Sequence, residues 1–186
     1  MTVPQAMILG LVQGLSEFFP ISSSGHLIIL PRVFGWEDQG LAFDVILHLG
    51  TLCALLWYFK DMIYAVVMRA WKSSTEQKAA QRLLMQLALA TLPALIFGYL
   101  LSDIEATMTR RVPLVAFNLI FWGCILYIAD RYSRRITHPI QRIETELSWK
   151  QAISIGCAQV LALLPGTSRS GITMTTGLFT GLSREA

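Results

Sequence analysis

Two apolar runs contain no charged residue at all: Leu83–Leu101, 19 residues, and Val112–Ala129, 18 residues. At about 1.5 Å of rise per residue, each is long enough as a helix to cross the roughly 30 Å hydrocarbon core of a bilayer. A third run, Leu41–Phe59, has the same length as the first but carries Asp44 and His48. Charge is scarce elsewhere too. Charged residues make up 15% of the 186 and mean hydropathy is +0.53, against about 25% charged in ordinary soluble domains. The chain therefore reads as a polytopic integral membrane protein, all-α because helices satisfy their own backbone in lipid.

The basic residues lie mainly in two segments. Residues 60–82 hold Lys60, Arg69, Lys72, Lys78 and Arg82, and residues 130–150 hold Arg131, Arg134, Arg135, Arg142 and Lys150. Between the charge-free runs, 102–111 has only Arg110 and Arg111. The Lys/Arg bias places 60–82 and 130–150 in the cytoplasm as loops and 102–111 outside. It is a topological signal, and no nucleic-acid partner is expected. No basic residue precedes Arg32, so the n-region of a cleavable signal peptide is missing. Cys53, Cys124 and Cys157 sit apart within apolar segments and read as small packing residues.

Segments 1–40 and 151–182 are built differently. Their apolar stretches are short and broken by Pro, Gly and Ser, as suits re-entrant pieces that enter the membrane without crossing it. Laid over each other at an offset of 146, Gly10 meets Gly156, Gln13 meets Gln159, Ser22 meets Ser168, Ser24 meets Ser170 and Gly25 meets Gly171. The two segments are expected to repeat one unit of helix, Pro/Gly/Ser break and second helix. Three crossings between the units would bring the second in from the opposite face. Inverted repeats of this kind place binding sites at their mutual interface.

The unusual polar residues fall in these breaks. Arg169 is the one charge between Lys150 and Arg184. It reads either as a structural arginine on backbone carbonyls or as a bidentate phosphate clamp aided by Ser168, Ser170 and Thr173. Glu17, one turn after Gln13, is either a helix cap or a base and divalent-cation ligand, with Mg²⁺ or Ca²⁺ the matching hard ions. Ser22, Ser23 and Ser24 before Gly25 and His26 are either an N-cap run or a nucleophile with its base. Asp44 and His48, one turn apart, are expected near the same cavity in a packing or supporting role.

At these residues the chain resembles the undecaprenyl-diphosphate phosphatase, or bacitracin resistance protein, family. The resemblance rests on Gln13-Gly-Leu-Ser-Glu17, on Pro20-Ile-Ser-Ser-Ser-Gly-His26 and on Pro165-Gly-Thr-Ser-Arg169-Ser-Gly-Ile-Thr173. It implies a helical bundle with two inverted re-entrant helix-break-helix repeats, and further membrane helices beyond residue 186. It also implies hydrolysis of undecaprenyl diphosphate to the monophosphate and inorganic phosphate, which recycles the carrier lipid for peptidoglycan synthesis and confers bacitracin resistance. On that resemblance Glu17, Ser23, His26 and Arg169 are the catalytic core. Gln13, Ser22, Ser24, Gly166, Ser168, Ser170 and Thr173 are substrate contacts, and a divalent cation sits at Glu17. The family's first acidic position is Gln13 here, which puts more of the metal binding on Glu17. Expected partners are the polyprenyl diphosphate, membrane lipid and a second copy in a homodimer. The expected location is the bacterial inner membrane, with the site toward the periplasm or the outer leaflet. A lipid flippase or anion transporter on the same inverted repeats is the competing reading, and an intramembrane serine protease a third that leaves Arg169 without a role.

Overall fold

The computed structural model describes residues 1–72, 76–101, 111–137 and 139–185. The expected external loop at 102–111 lies, apart from Arg111, outside the described residues. Helix α1 (Val3–Phe18) opens where the Thr2 N–H donates to Gln5 Oε1 at 2.8 Å, and it stops at extended Phe19, before Pro20. Helix α2 (Ser23–Val33) follows the first break. Helices α3 (Leu41–Tyr58) and α4 (Lys60–Trp71) are nearly continuous. Then come α5 (Gln77–Leu100), α6 (Val112–Ser133), the single turn α7 (Ile143–Glu146) and α8 (Trp149–Ala158). A 3₁₀ turn (Gln159–Leu163) leads to the second break and α9 (Arg169–Phe179). No strand occurs among the described residues; Ile140 and Leu182 form one isolated bridge.

Helices α3, α5 and α6 are each long and apolar enough to cross a membrane. Two boundaries differ from the sequence expectation for a physical reason. The described residues of 60–82 are largely helical, because Lys, Gln, Ala and Arg propagate a helix as well as leucine does. Thus α5 begins six residues before the charge-free run at Leu83, and α4 fills the front of the expected loop.

Burial is arranged opposite to that of a water-soluble bundle. In α3 the buried residue is Asp44, while Leu52, Leu56 and Trp57 are exposed. Gln13 and Ser16 in α1, Gln86 in α5, and Asn118 and Ser133 in α6 are buried as well. Apolar side chains outward and hydrogen-bonding side chains inward is the arrangement that lipid as solvent favours, since a polar group facing hydrocarbon has no partner.

The bundle pairs α5 with α8, and α6 with α9, while α2 rests on α6 and α3 on α1. The α5–α8 contact depends on Gly156. A Cβ there would lie 2.5 Å from Ala90 O and 2.6 Å from Ala90 Cα, both backbone atoms that cannot swing aside. Gln86 and Arg82 clamp the end of the same pair by donating to Leu147 O at 2.9 and 2.8 Å. Gly156→Ala is expected to destabilise the fold by about 1–3 kcal/mol through overpacking. Gly123→Ala, which would meet nothing within 4 Å, leaves stability unchanged or slightly raised. Thermal unfolding of both variants in detergent checks this.

Candidate active site

Each break turns on one serine. Ser22 has φ 61° and Ser168 φ 60°, the two non-glycine residues with positive φ among those described. The local geometry then repeats. The Gly25 N–H donates to Ser22 Oγ at 3.4 Å and the Gly171 N–H to Ser168 Oγ at 3.1 Å. The Ser22 and Ser24 hydroxyls are 3.2 Å apart, as are those of Ser168 and Ser170. The offset of 146 seen in sequence therefore reappears as matched N-cap geometry at the starts of α2 and α9.

The two helix starts face one cavity of about 490 Å³. Ser22, Ser23 and Ser24 line it from one side, Ser168, Arg169 and Ser170 from the other, with Glu17, Asp44 and His48 completing the polar wall. Leu41, Val45, Leu49, Leu52 and Ala162 to Pro165 make the remainder apolar. Both helix N-termini bring unsatisfied N–H groups and a positive field, as an anion requires. Among the described residues the Arg169 guanidinium has neither an ion-pair nor a hydrogen-bond partner. Among the described residues, Arg169 is thus not a structural arginine held on backbone carbonyls.

On the acidic side the groups form a connected set. The Ser23 hydroxyl donates to Glu17 Oε2 in a short hydrogen bond. Gln13, 1% exposed, donates from Nε2 to the same oxygen at 3.4 Å and to Thr51 Oγ1 at 3.1 Å. His48 Nε2 lies 3.3 Å from Ser23 Oγ and 3.5 Å from Glu17 Oε2. The His48 Nδ1 is 2.7 Å from Asp44 O, while the Asp44 carboxylate accepts from Gln39 Nε2 at 2.6 Å.

Four sequence-nominated residues lie elsewhere. His26 does not line the cavity; its Nδ1 is 2.8 Å from Ser22 O, one turn back along α2. Gln13 is behind Glu17 and orients it. Gly166 is buried against α6, where a Cβ would come 2.6 Å from Val115 O, and its φ of +85° suits glycine alone. Thr173 donates back to Arg169 O and Ser170 O and lines a second, more apolar cavity. Two residues that sequence reasoning undervalued have clear positions. His48 touches Ser23, and its signal was a charge-bearing Asp-His turn inside an otherwise apolar run. Asn118, 5% exposed, donates from Nδ2 to Pro165 O at 2.7 Å and anchors the second break to α6; a lone asparagine in an apolar run announces no partner.

No group of three His, Cys, Asp or Glu among the described residues could by itself hold a metal ion. The carboxylates lining the cavity are Glu17 and Asp44, set among serine hydroxyls. That fits a Mg²⁺-type ion held largely by substrate phosphate oxygens, and it does not fit a closed protein cage.

The family profile of "Bacitracin resistance protein BacA" matches residues 6–186. The chain is 48% identical to "Undecaprenyl-diphosphatase 2" of Stutzerimonas stutzeri, over 100% of this chain and 68% of that protein. It is 46% identical to an undecaprenyl-diphosphatase of Gemmatimonas aurantiaca, over 100% and 69%. It is 43% identical to one of Marinobacter nauticus, again over 100% and 69%.

Asn118→Ala leaves a buried carbonyl without its donor. It is expected to lower stability by about 1–3 kcal/mol, read as a lower midpoint of thermal unfolding. It is also expected to slow the site's chemistry, because Arg169 follows Pro165 by four residues.

Proposed function

The chain belongs to the bacitracin resistance protein BacA family, and we propose on that footing that it hydrolyses undecaprenyl diphosphate to undecaprenyl phosphate and inorganic phosphate. The observation that carries the reading is a single cavity lined by Glu17 and Ser23 from one end of the chain and by Arg169 from the other. A hydroxyl already bonded to a carboxylate faces two helix N-termini and a guanidinium that has no partner among the described residues. Such a cavity suits a diphosphate. The guanidinium fork and the N–H groups of α9 take the phosphate oxygens, and the apolar wall of Val45, Leu49 and Leu52 takes the start of a polyprenyl chain.

In this reading Ser23 is the nucleophile. Its Oγ bonds to the terminal phosphorus as the bond from that phosphorus to the bridging oxygen breaks. The electron pair departs with undecaprenyl phosphate, and water then cleaves the phosphoserine. Glu17 orients the Ser23 hydroxyl through the short bond between them, and Gln13 holds Glu17 in place. Arg169 binds the charge that moves onto the leaving oxygens, a contribution of positioning and electrostatics. A divalent cation, held by Glu17 together with substrate oxygens, would supply further charge neutralisation when bound. The location that follows is the bacterial plasma membrane, with the cavity toward its outer leaflet.

Phosphate release from undecaprenyl diphosphate, measured with detergent-purified protein and Mg²⁺, tests the reading. Arg169→Ala is expected to cut kcat by about 10²–10³-fold. Arg169→Lys recovers only part, since lysine lacks the planar fork. Full activity in Arg169→Ala overturns the assignment. Chelation of divalent ions is expected to lower release, and returning Mg²⁺ to restore it.

A further inference from the structure

We propose that Thr51, which does not line the cavity, is a positioning residue for the reaction. Its hydroxyl sets the orientation of the Gln13 amide and, through it, of the Glu17 carboxylate. The inference rests on the phosphatase reading above for the reaction it serves, and on hydrogen-bond direction for its choice of residue.

Helices α1 and α3 pack together. Gly10 lets them approach, since a Cβ there would already lie 3.6 Å from Leu47 Cδ2. One turn along each helix from that contact, Gln13 meets Thr51. The Gln13 side chain is 1% exposed, so its amide is cut off from water and its polar atoms must be matched by protein. Its Nε2 donates to Thr51 Oγ1 at 3.1 Å and to Glu17 Oε2 at 3.4 Å.

Both partners select the same end of the amide. A hydroxyl has one hydrogen, and that of Thr51 is committed to His48 O at 3.0 Å, three residues back along α3. Toward Gln13 the Thr51 oxygen therefore only accepts. Glu17 Oε2 accepts from Ser23 as well, and an ionised carboxylate has no hydrogen to give. With the amide turned over, Oε1 would face two acceptors in a buried place, and both contacts would become repulsive. The Thr51 hydroxyl thus keeps the NH₂ end of Gln13 toward Glu17.

The consequence reaches the cavity through Glu17. Ser23 and Gln13 both donate to Oε2, and His48 Nε2 is 3.5 Å from the same atom. Among the described residues nothing donates to Oε1, and Glu17 lines the cavity. One carboxylate oxygen is pinned on the protein side and the other is left for what the cavity holds. Without the Thr51 hydroxyl the amide is free to turn over. Turned over, it repels Glu17 and loosens the hold of Glu17 on the Ser23 hydroxyl.

The test uses the purified chain in detergent. Thr51→Ser keeps the hydroxyl, Thr51→Val keeps the shape without it, and Gln13→Leu removes the amide. Phosphate release from undecaprenyl diphosphate is the first readout. Thr51→Val is expected to lower kcat by about 10–100-fold, with KM within a few-fold because Arg169 and the helix N-termini still bind the phosphates. Thr51→Ser is expected to stay close to wild type. Gln13→Leu is expected to lower kcat comparably, and adding Thr51→Val to it to cost little more, since both act through one contact. The second readout is ¹⁵N NMR of the glutamine side chains, with the Gln13 amide assigned by its loss in Gln13→Leu. Its signals are expected to move in Thr51→Val and to return toward the wild-type position in Thr51→Ser. Thr51→Ala replaces Thr51→Val in both measurements if the valine variant does not fold. Wild-type kcat in T51V, an equal loss in T51S, full multiplication of the two effects in the double variant, or an unmoved Gln13 amide each overturns the proposal. A Gln13 amide that moves in T51V, with no phosphate release from the wild type, would refute the phosphatase reading and leave the Thr51–Gln13 link standing. Phosphate release that is indifferent to Thr51 would do the reverse.

Discussion

Everything at the site depends on two serines holding a backbone conformation that serine seldom adopts. Ser22 and Ser168 sit at φ near +60°, at a strain of about 1–3 kcal/mol each. The cap bonds from Gly25 N–H and Gly171 N–H to their hydroxyls offset part of it. What the corner achieves is directional. A chain leaving α1, or leaving the 3₁₀ turn, reverses sharply enough for a new helix to start with its N–H groups facing the same space. A glycine would relax the torsion and lose the cap; an alanine would keep the strain and lose the cap too.

That geometry needs a frame. Lipid as the outer solvent makes interior polarity tolerable only when it is satisfied, and the interior here is satisfied by specific pairs. Asn118 serves Pro165 O, Gln86 and Arg82 serve Leu147 O, and Gln13 serves Glu17 and Thr51. Gly156 lets α5 and α8 approach to backbone contact, which carries the second break against the rest of the bundle. The charged chemistry is confined to a cavity walled on its other sides by leucine and valine. Low local polarity strengthens the attraction between a guanidinium and a phosphate.

Much of this is legible in the amino-acid sequence. Charge-free runs announced the crossing helices, since hydrocarbon admits no unpaired charge. The Ser/Gly breaks announced helix starts, since few other residues cap an N-terminus. Arg169 announced a cavity, since an isolated arginine in an apolar stretch cannot face hydrocarbon alone. The weaker inferences were those from adjacency. Thr173 and Gly166 belong to the motif around Arg169, yet one bonds its own helix and the other fills a tight contact with α6. His26 follows Ser23 by three residues and does not meet it, while His48 follows by 25 and does.

The sequence by itself determined the class of the protein, its crossing helices and the chemical types gathered in its two breaks, because these follow from local rules of solvation and capping. Only the tertiary structure decided which members of those breaks share a cavity and which imidazole reaches Ser23. The reason is physical. Solvation and capping act within a turn or two of chain. The direction of a side chain at a site depends on how helices cross, and that is set by close contacts such as Gly156 on Ala90 and Asn118 on Pro165, between residues 66 and 47 positions apart in the chain.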